Sequence, residues 1–269
     1  MSQDARRAAA EGLIRLMELA ARLRGPGGCP WDQAQTPASV AQYLVEEGFE
    51  ALEAIEADDD QAACAELGDL LFQVVFTAQL YAESRRFDLA QVIDNVHQKM
   101  ISRHPHVFGD KKAADPEEVR KLWGQIKNQE QDRTSQGLLD SVPAAAPALL
   151  RAQRLGQRAA LVNFDWKNGR EVWQKVQEEM EELAQAPDAA AAQAELGDLL
   201  FAWAQWARHQ DLSAEAALRQ ANQRFKRRFR QMESLARARG LNLAELTAEQ
   251  WDALWEEAKS AEIGSQAAG

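Results

Sequence analysis

The sequence predicts an all-α protein built from two copies of one helical domain, and three observations carry that expectation. Apolar residues recur at helical spacing along nearly the whole chain, and no segment alternates convincingly at period two. The octapeptide AELGDLLF occurs twice, at 65–72 and again at 194–201. Around it, four landmarks come in the same order in each half. The first is a tryptophan after a loop, Trp31 in CPWD and Trp166 in FDW, and the second is an EExxE string, Glu46, Glu47 and Glu50 or Glu178, Glu179 and Glu182. The third is an ExxD pair, Glu66 and Asp69 or Glu195 and Asp198, and the fourth a Trp–Lys pair at i, i+4, Trp123 and Lys127 or Trp255 and Lys259. A period this long means two domains, not a solenoid.

Along the chain, Leu13, Leu16, Met17, Ala20 and Leu23 line one face of a first helix. The turn residues of RGPGGCPWD at 24–32 end it. The EExxE helix then runs to a break at ADDD, 57–60. The ExxD helix follows, with Leu70, Leu71, Val74, Val75 and Ala78 as its apolar stripe. Further breaks fall at 103–116 and at GLLDSVPAAAP, 137–147. Because the latter carries two prolines near mid-chain, it sets the expected division into an N-terminal domain, 1–136, and a C-terminal domain, 137–269. In the second half, breaks at 163–169 and 185–189 bracket the second EExxE helix, and Leu199, Leu200, Trp203 and Trp206 form the stripe of the next.

The bulk properties narrow the class. With 46% hydrophobic and 27% charged residues the chain reads as a soluble protein with a buried core. No apolar run approaches the length of a membrane span. The N-terminus has no apolar signal-peptide core, so a cytoplasmic location and no membrane partner are expected. Cys29 and Cys64 have no metal or disulfide spacing. The net charge of −11 argues against a nucleic-acid polymer as partner, since such binding works by neutralising phosphates. A small anion remains compatible if a metal ion or a local basic patch meets it.

The acids supply the chemistry. Residues three and four apart share a helix face, so Glu179 and Glu182 are neighbours, as are Glu195 and Asp198 on the next helix. A link of about a dozen residues containing a proline predicts that the two helices pack antiparallel, an arrangement that can gather four carboxylates. Repulsion among them is relieved by a hard divalent cation; an all-oxygen set without Glu-x-x-His favours Mg²⁺ or Mn²⁺ over iron or zinc. The bland alternative is a solvated acidic face. After the second acidic pair comes NQRFKRRFR at 222–230, in which Arg224 and Arg228 share a face able to hold a polyphosphate. Lys175, Lys259 and Trp255 extend that rim, the tryptophan as a stacking surface or as plain core. Glycine inside a helix costs roughly 1 kcal/mol against alanine. Gly68 and Gly197 are therefore expected to admit a facing helix or a ligand close to the backbone, with Leu-Leu-Phe anchoring each helix in the core.

These motifs resemble the MazG family of nucleoside triphosphate pyrophosphohydrolases essentially end to end, from GCPWDQAQT through ELGDLLFQVVF, RHPHVF, RAQRLGQR and FDW to ANQRFKRRF. The acidic pattern alone is shared with all-α dUTPases and phosphoribosyl-ATP pyrophosphohydrolases. The resemblance implies two tandem helical MazG domains, a homodimer, and Mg²⁺-dependent hydrolysis of nucleoside triphosphates to monophosphate and pyrophosphate. It implies that Glu179, Glu182, Glu195 and Asp198 hold the metal, with Glu47, Glu50, Glu66 and Asp69 as a degenerate counterpart. Lys175, Glu178, Arg224, Arg228, Trp255, Lys259 and Lys127 would face the nucleotide. Glu178 is the choice for general base. The halves differ around the acids: Tyr43 stands where the second has Lys175, and QKMISRH replaces the basic run, so the C-terminal copy is expected to be the working one. Alternatives are a narrower dUTPase or oxidised-nucleotide hydrolase, or a helical module that binds metal and nucleotide without turnover.

Overall fold

The computed structural model describes residues 1–110 and 137–266, together with 112, 114, 115, 118, 119 and 122. It is all-α: eleven α-helices and one 3₁₀ turn, with no strand among the described residues. The chain divides into two compact units, Met1–Trp123 and Gly124–Gly269. The division expected at 136–137 adjoins residues outside the described set, as do Trp123 and Lys127.

The first unit comprises α1 (Gln3–Arg24), α2 (Pro30–Gln33), α3 (Pro37–Glu56), α4 (Asp60–Glu83), α5 (Leu89–Arg103) and α6 (Pro105–Phe108). The second comprises α7 (Ala148–Ala160), α8 (Gly169–Gln185), α9 (Ala189–His209), α10 (Ala214–Ala238), the 3₁₀ turn Leu243–Glu245 and α11 (Ala248–Gln266). Packing repeats with the sequence. Helix α4 is central to the first unit, touching α1, α3 and α5; α9 holds the same place among α7, α8 and α10.

The helices start where short polar side chains can take the exposed N–H groups of a first turn. Thr36, Asp59 and Asp88 cap α3, α4 and α5; Asn168, Asp188 and Ser213 cap α8, α9 and α10 at the matching places. Both central helices also stop alike. Arg85 and Asp211, at φ 54° each, turn the chain through the left-handed region two residues past α4 and α9. The following amides then reach back to Tyr81 and Ala207 carbonyls at 3.1 and 2.9 Å. The sequence reading named no break at 84–88, 210–213 or 239–247. The signals were the caps Asp88 and Ser213, and Gly240 at φ 63°.

The first core joins Ala20, Val40, Val75, Phe76, Ala78, Leu80 and Leu89. In the second unit Val172, Val176, Ala202 and Ala204 are buried, and Met232, Ala236, Leu254 and Ala258 pack α10 on α11. Several expected core residues are exposed instead. Met17 faces solvent on α1. Within the octapeptides Leu67 and Leu71, and Leu196, Leu200 and Phe201, are exposed, whereas Leu70 and Leu199 are half-buried and Phe72 packs against the first core, so Leu-Leu-Phe anchors its helix only in part. A second difference concerns α4. Its residues are long and apolar enough, at mean hydropathy 1.2, to meet the length and composition of a membrane span. The expectation that no run comes near that length was too strong, although α4 packs here against α1, α3 and α5.

A buried polar chain ties the second unit together. Gln205 is fully buried on α9; its amide donates to the Ala152 carbonyl of α7 at 2.7 Å. Its Oε1 accepts from Arg208 Nε at 2.8 Å, and the Arg208 guanidinium forks onto Asp165 at 2.9 and 2.5 Å. Burial pushes the Asp165 carboxyl up, but the hydrogen bonds and charge of Arg208, aided by His209, hold it below the usual carboxylate range. This explains two of the sequence strings. RAQRLGQR places Gly156 against Gln205, where an added Cβ would lie 1.8 Å from Oε1, and FDW supplies Asp165. Gly156→Ala therefore displaces a fully bonded buried side chain and should destabilise the protein by about 1–3 kcal/mol. Urea unfolding followed by tryptophan fluorescence measures this; an unchanged midpoint would refute the packing argument.

Candidate metal centre

Each unit brings its acids together on a helical hairpin. In the second unit α8 and α9 are joined by Ala186, Pro187 and Asp188, too short a link to allow anything but adjacent helices. Val172, Val176 and Glu179 are the buried face of α8, so the apolar stripe that docks α8 also carries one carboxylate inward. Carboxylate oxygens of Glu179, Glu182 and Glu195 all lie within 4.8 Å of one another. Asp198 lies outside that group and is exposed. In the first unit Glu47, Glu66 and Asp69 form the corresponding group, and Glu50 lies outside it. The two units thus assemble overlapping but unequal subsets of the same four positions. Glu182 belongs to the second group where its counterpart Glu50 does not, and Asp69 to the first where its counterpart Asp198 does not.

The electrostatics of the groups fit a cation. Burial, together with the charges of Asp69, Glu50 and Glu66, holds the Glu47 carboxyl above the usual range. Glu179 is 5% exposed; its Oε1 lies 2.6 Å from Lys175 Nζ, while its Oε2 is buried with no hydrogen-bond partner. A buried carboxylate oxygen without a partner is costly, and a divalent ion is the kind of ligand that would satisfy it. The donors are carboxylate oxygens throughout, which suits Mg²⁺ or Mn²⁺ and gives no soft ligand for zinc or copper.

The other expected site residues fall into two places. Lys175 bridges Glu179 and Glu178, at 2.6 and 2.9 Å, which pushes its ammonium pKa well above its ordinary value. Glu178 itself is exposed. Arg228 and Trp255 meet between α10 and α11, the guanidinium carbon 5.6 Å from the indole ring centre. Lys259 lies one turn beyond Trp255 and is 3.3 Å from Glu256; Arg224 is exposed on α10. None of Glu178, Glu179, Glu182, Glu195 and Asp198 lines the cleft beside Arg228. Lys127 lies outside the described residues. At Gly68 and Gly197 a Cβ would meet nothing within 4 Å, so the facing helix expected there does not approach within the described chain, and the space beside each backbone is open. Sequence reasoning missed Glu262, which accepts from Arg227 at 2.8 Å and Arg228 at 2.7 Å. Its only sequence signal was a lone acid late in an amphipathic helix.

Fold and site together define a class of protein: an all-α bundle that gathers carboxylates on a helical hairpin, where they could hold a metal ion. Comparison with known proteins narrows this. Residues 35–108 match the MazG nucleotide pyrophosphohydrolase domain. The chain is 43% identical over 256 residues to the nucleoside triphosphate pyrophosphohydrolase of Escherichia coli strain K12, covering 93% of this chain and 97% of that protein. It is 41% identical over 249 residues to the nucleoside triphosphate pyrophosphohydrolase/pyrophosphatase MazG of Thermotoga maritima, covering 93% and 95%. A Mycobacterium tuberculosis nucleoside triphosphate pyrophosphohydrolase is 32% identical over 151 residues, covering 55% of this chain and 45% of that one. The chain belongs to the MazG nucleotide pyrophosphohydrolase family.

Two carboxylate groups per chain give a countable expectation. Mn²⁺ titration followed by electron paramagnetic resonance should find two sites in the wild type and one each in Glu195→Gln and Glu66→Gln. A wild-type stoichiometry of one, removed by Glu195→Gln alone, would confine the metal to the second unit.

Proposed function

We propose that this chain is a nucleoside triphosphate pyrophosphohydrolase, a hydrolase of phosphoric anhydrides that converts a triphosphate to the monophosphate and pyrophosphate. The observation that carries the reading is the Glu179, Glu182, Glu195 group with its buried unpartnered oxygen, in a chain that matches pyrophosphohydrolases of the family over nearly its whole length. Glu179, Glu182 and Glu195 would hold Mg²⁺, with Asp198 one turn further along α9 as a fourth donor. When bound, the ion supplies charge neutralisation and Lewis acidity at the phosphate oxygens.

The chain's own groups do the rest. Water adds to one phosphorus of the α–β anhydride, and the bridging oxygen leaves on the other; the water's proton passes to a carboxylate, for which Glu178 is the choice. Arg224, Arg228 and Lys259 take up the charge that develops on the departing pyrophosphate, as does Lys127. Lys175, bonded to both Glu178 and Glu179, fixes the spacing between base and ligand. Trp255 offers its ring to the base. The second unit is the working one because, among the described residues, it alone pairs an acidic group with a lysine in contact; Tyr43 holds that position in the first. Free nucleotides in the cytoplasm, not nucleic-acid polymers, suit a chain of net charge −11.

The assay is product identification with Mg²⁺ over a panel of NTPs, dNTPs, dUTP, oxidised nucleotides and an oligonucleotide. Pyrophosphate release from several triphosphates is expected; orthophosphate alone, or binding without turnover, would overturn the reading. Glu182→Gln and Asp198→Asn should lower kcat at least about 100-fold, the scale of losing a charge-stabilising group. Glu50→Gln and Asp69→Asn should leave turnover intact, and equal losses in both sets would defeat the choice of unit.

A homodimer accounts for the exposed leucines. Leu67 and Leu71 on α4, with Val45 and Phe49 on α3, and Leu196 and Leu200 on α9, with Trp173 and Met180 on α8, are apolar surface that a second copy would cover. Sedimentation velocity at micromolar concentration should give twice the chain mass. A lone monomer there would remove this explanation.

A further inference from the structure

The pair of helices that closes the second unit carries a device that neither the sequence reading nor the family match assigns. Helix α11 packs on α10 through Leu254 and Ala258 against Met232 and Ala236. Along one edge of that contact lies a cleft of about 270 Å³ lined by Arg227, Arg228, Gln231, Ala258, Ala261 and Glu262. One carboxylate serves both arginines. Glu262 Oε1 accepts from Arg227 Nη2 at 2.8 Å, and Oε2 accepts from Arg228 Nε at 2.7 Å. The Glu262 side chain is 16% exposed and that of Arg228 22%, so the bond is partly shielded from water.

We infer that Glu262 is a positioning residue for Arg228, holding its guanidinium beside the Trp255 ring so that it meets the pyrophosphate portion of the substrate. The inference rests on the reading of the second unit as the working one. An arginine engaged at Nε still presents its Nη1–Nη2 edge, the fork that takes two phosphate oxygens at once. A guanidinium left unpinned would have to give up its rotamer freedom on binding; one already held by Glu262 has done so in folding. Phe225 also packs on the indole, its ring centre 5.6 Å from that of Trp255. Simple electrostatics predicts the opposite outcome. A carboxylate beside two arginines lowers the local positive potential, so removing it would tighten anion binding if Glu262 did nothing else. The sign of the effect therefore decides.

The experiment is calorimetric titration of the full chain with inorganic pyrophosphate in Mg²⁺, alongside steady-state kinetics with a triphosphate. Glu262→Ala should weaken pyrophosphate binding roughly 3- to 10-fold. It should raise KM by a similar factor, with kcat lowered no more than about threefold because Arg228 is still present and shares the departing charge with Arg224 and Lys259. Glu262→Gln, which keeps an acceptor for Nε, should recover much of the affinity, and thermal melts of both variants check that α11 remains docked. In an Arg228→Ala background, Glu262→Ala should add no further loss. Unchanged or tighter pyrophosphate binding by Glu262→Ala would overturn the inference. So would the same loss in the Arg228→Ala background, or a wild type that binds no pyrophosphate. A wild type that binds pyrophosphate yet releases none from triphosphates would instead defeat the functional reading and leave this one standing.

Discussion

Carboxylates forced together on a tight helical hairpin are the constraint on which the rest of the second unit depends. Helix α8 cannot bury Val172 and Val176 without also burying Glu179, because all three lie on one face. Helix α9, tied to α8 by a three-residue link, brings Glu195 opposite. The repulsion is met from two directions. Lys175 donates to one oxygen of Glu179, and the other is left buried and unpartnered, the position a divalent ion would fill. Apolar packing creates the charged site here, with carboxylates placed where they could hold a metal ion.

The duplicated frame shows what a backbone can hold constant while charge varies. Caps, stops and helix contacts match between units, yet the same junction is closed by ion pairs of opposite sense. In the first unit Arg24, at the end of α1, grips Glu83 at the end of α4, and also reaches the Asp32 and Gln35 carbonyls of the loop. In the second, Asp165 in the loop after α7 accepts from Arg208 at the end of α9. Either arrangement locks the loop that follows the first helix to the end of the central one. The geometry of the lock matters, and the sign at each end does not. The acidic groups differ in charge as well, since Tyr43 brings none where Lys175 pairs with Glu179.

The octapeptides take on a different meaning in three dimensions. Their acids share a face, and their leucines at 67, 71, 196 and 200 lie on a face the single chain leaves uncovered. Gly68 and Gly197 have no close neighbour within the described chain. Two identical segments that expose the same leucines in both units are what a repeated interface would require. The repeat is thus as much about surface as about core.

The helical class, the duplication and most helix ends could be read from one-dimensional patterns, because spacing at 3.6 residues, capping side chains and prolines act locally. The clustering of Glu179, Glu182 and Glu195 was also legible, since i, i+3 spacing and a short link leave few alternatives. What could not be read were the outcomes that depend on which faces meet. Asp198 and Glu50 fall outside their groups. Gln205 finds Ala152 and forbids a side chain at Gly156, and Glu262 finds Arg227 and Arg228. Sequence by itself determined the helices and the store of charge each face carries, because those are properties of neighbours along the chain. Tertiary structure alone decided which charges are paired, buried or left for a ligand, because that depends on residues tens of positions apart sharing one desolvated space.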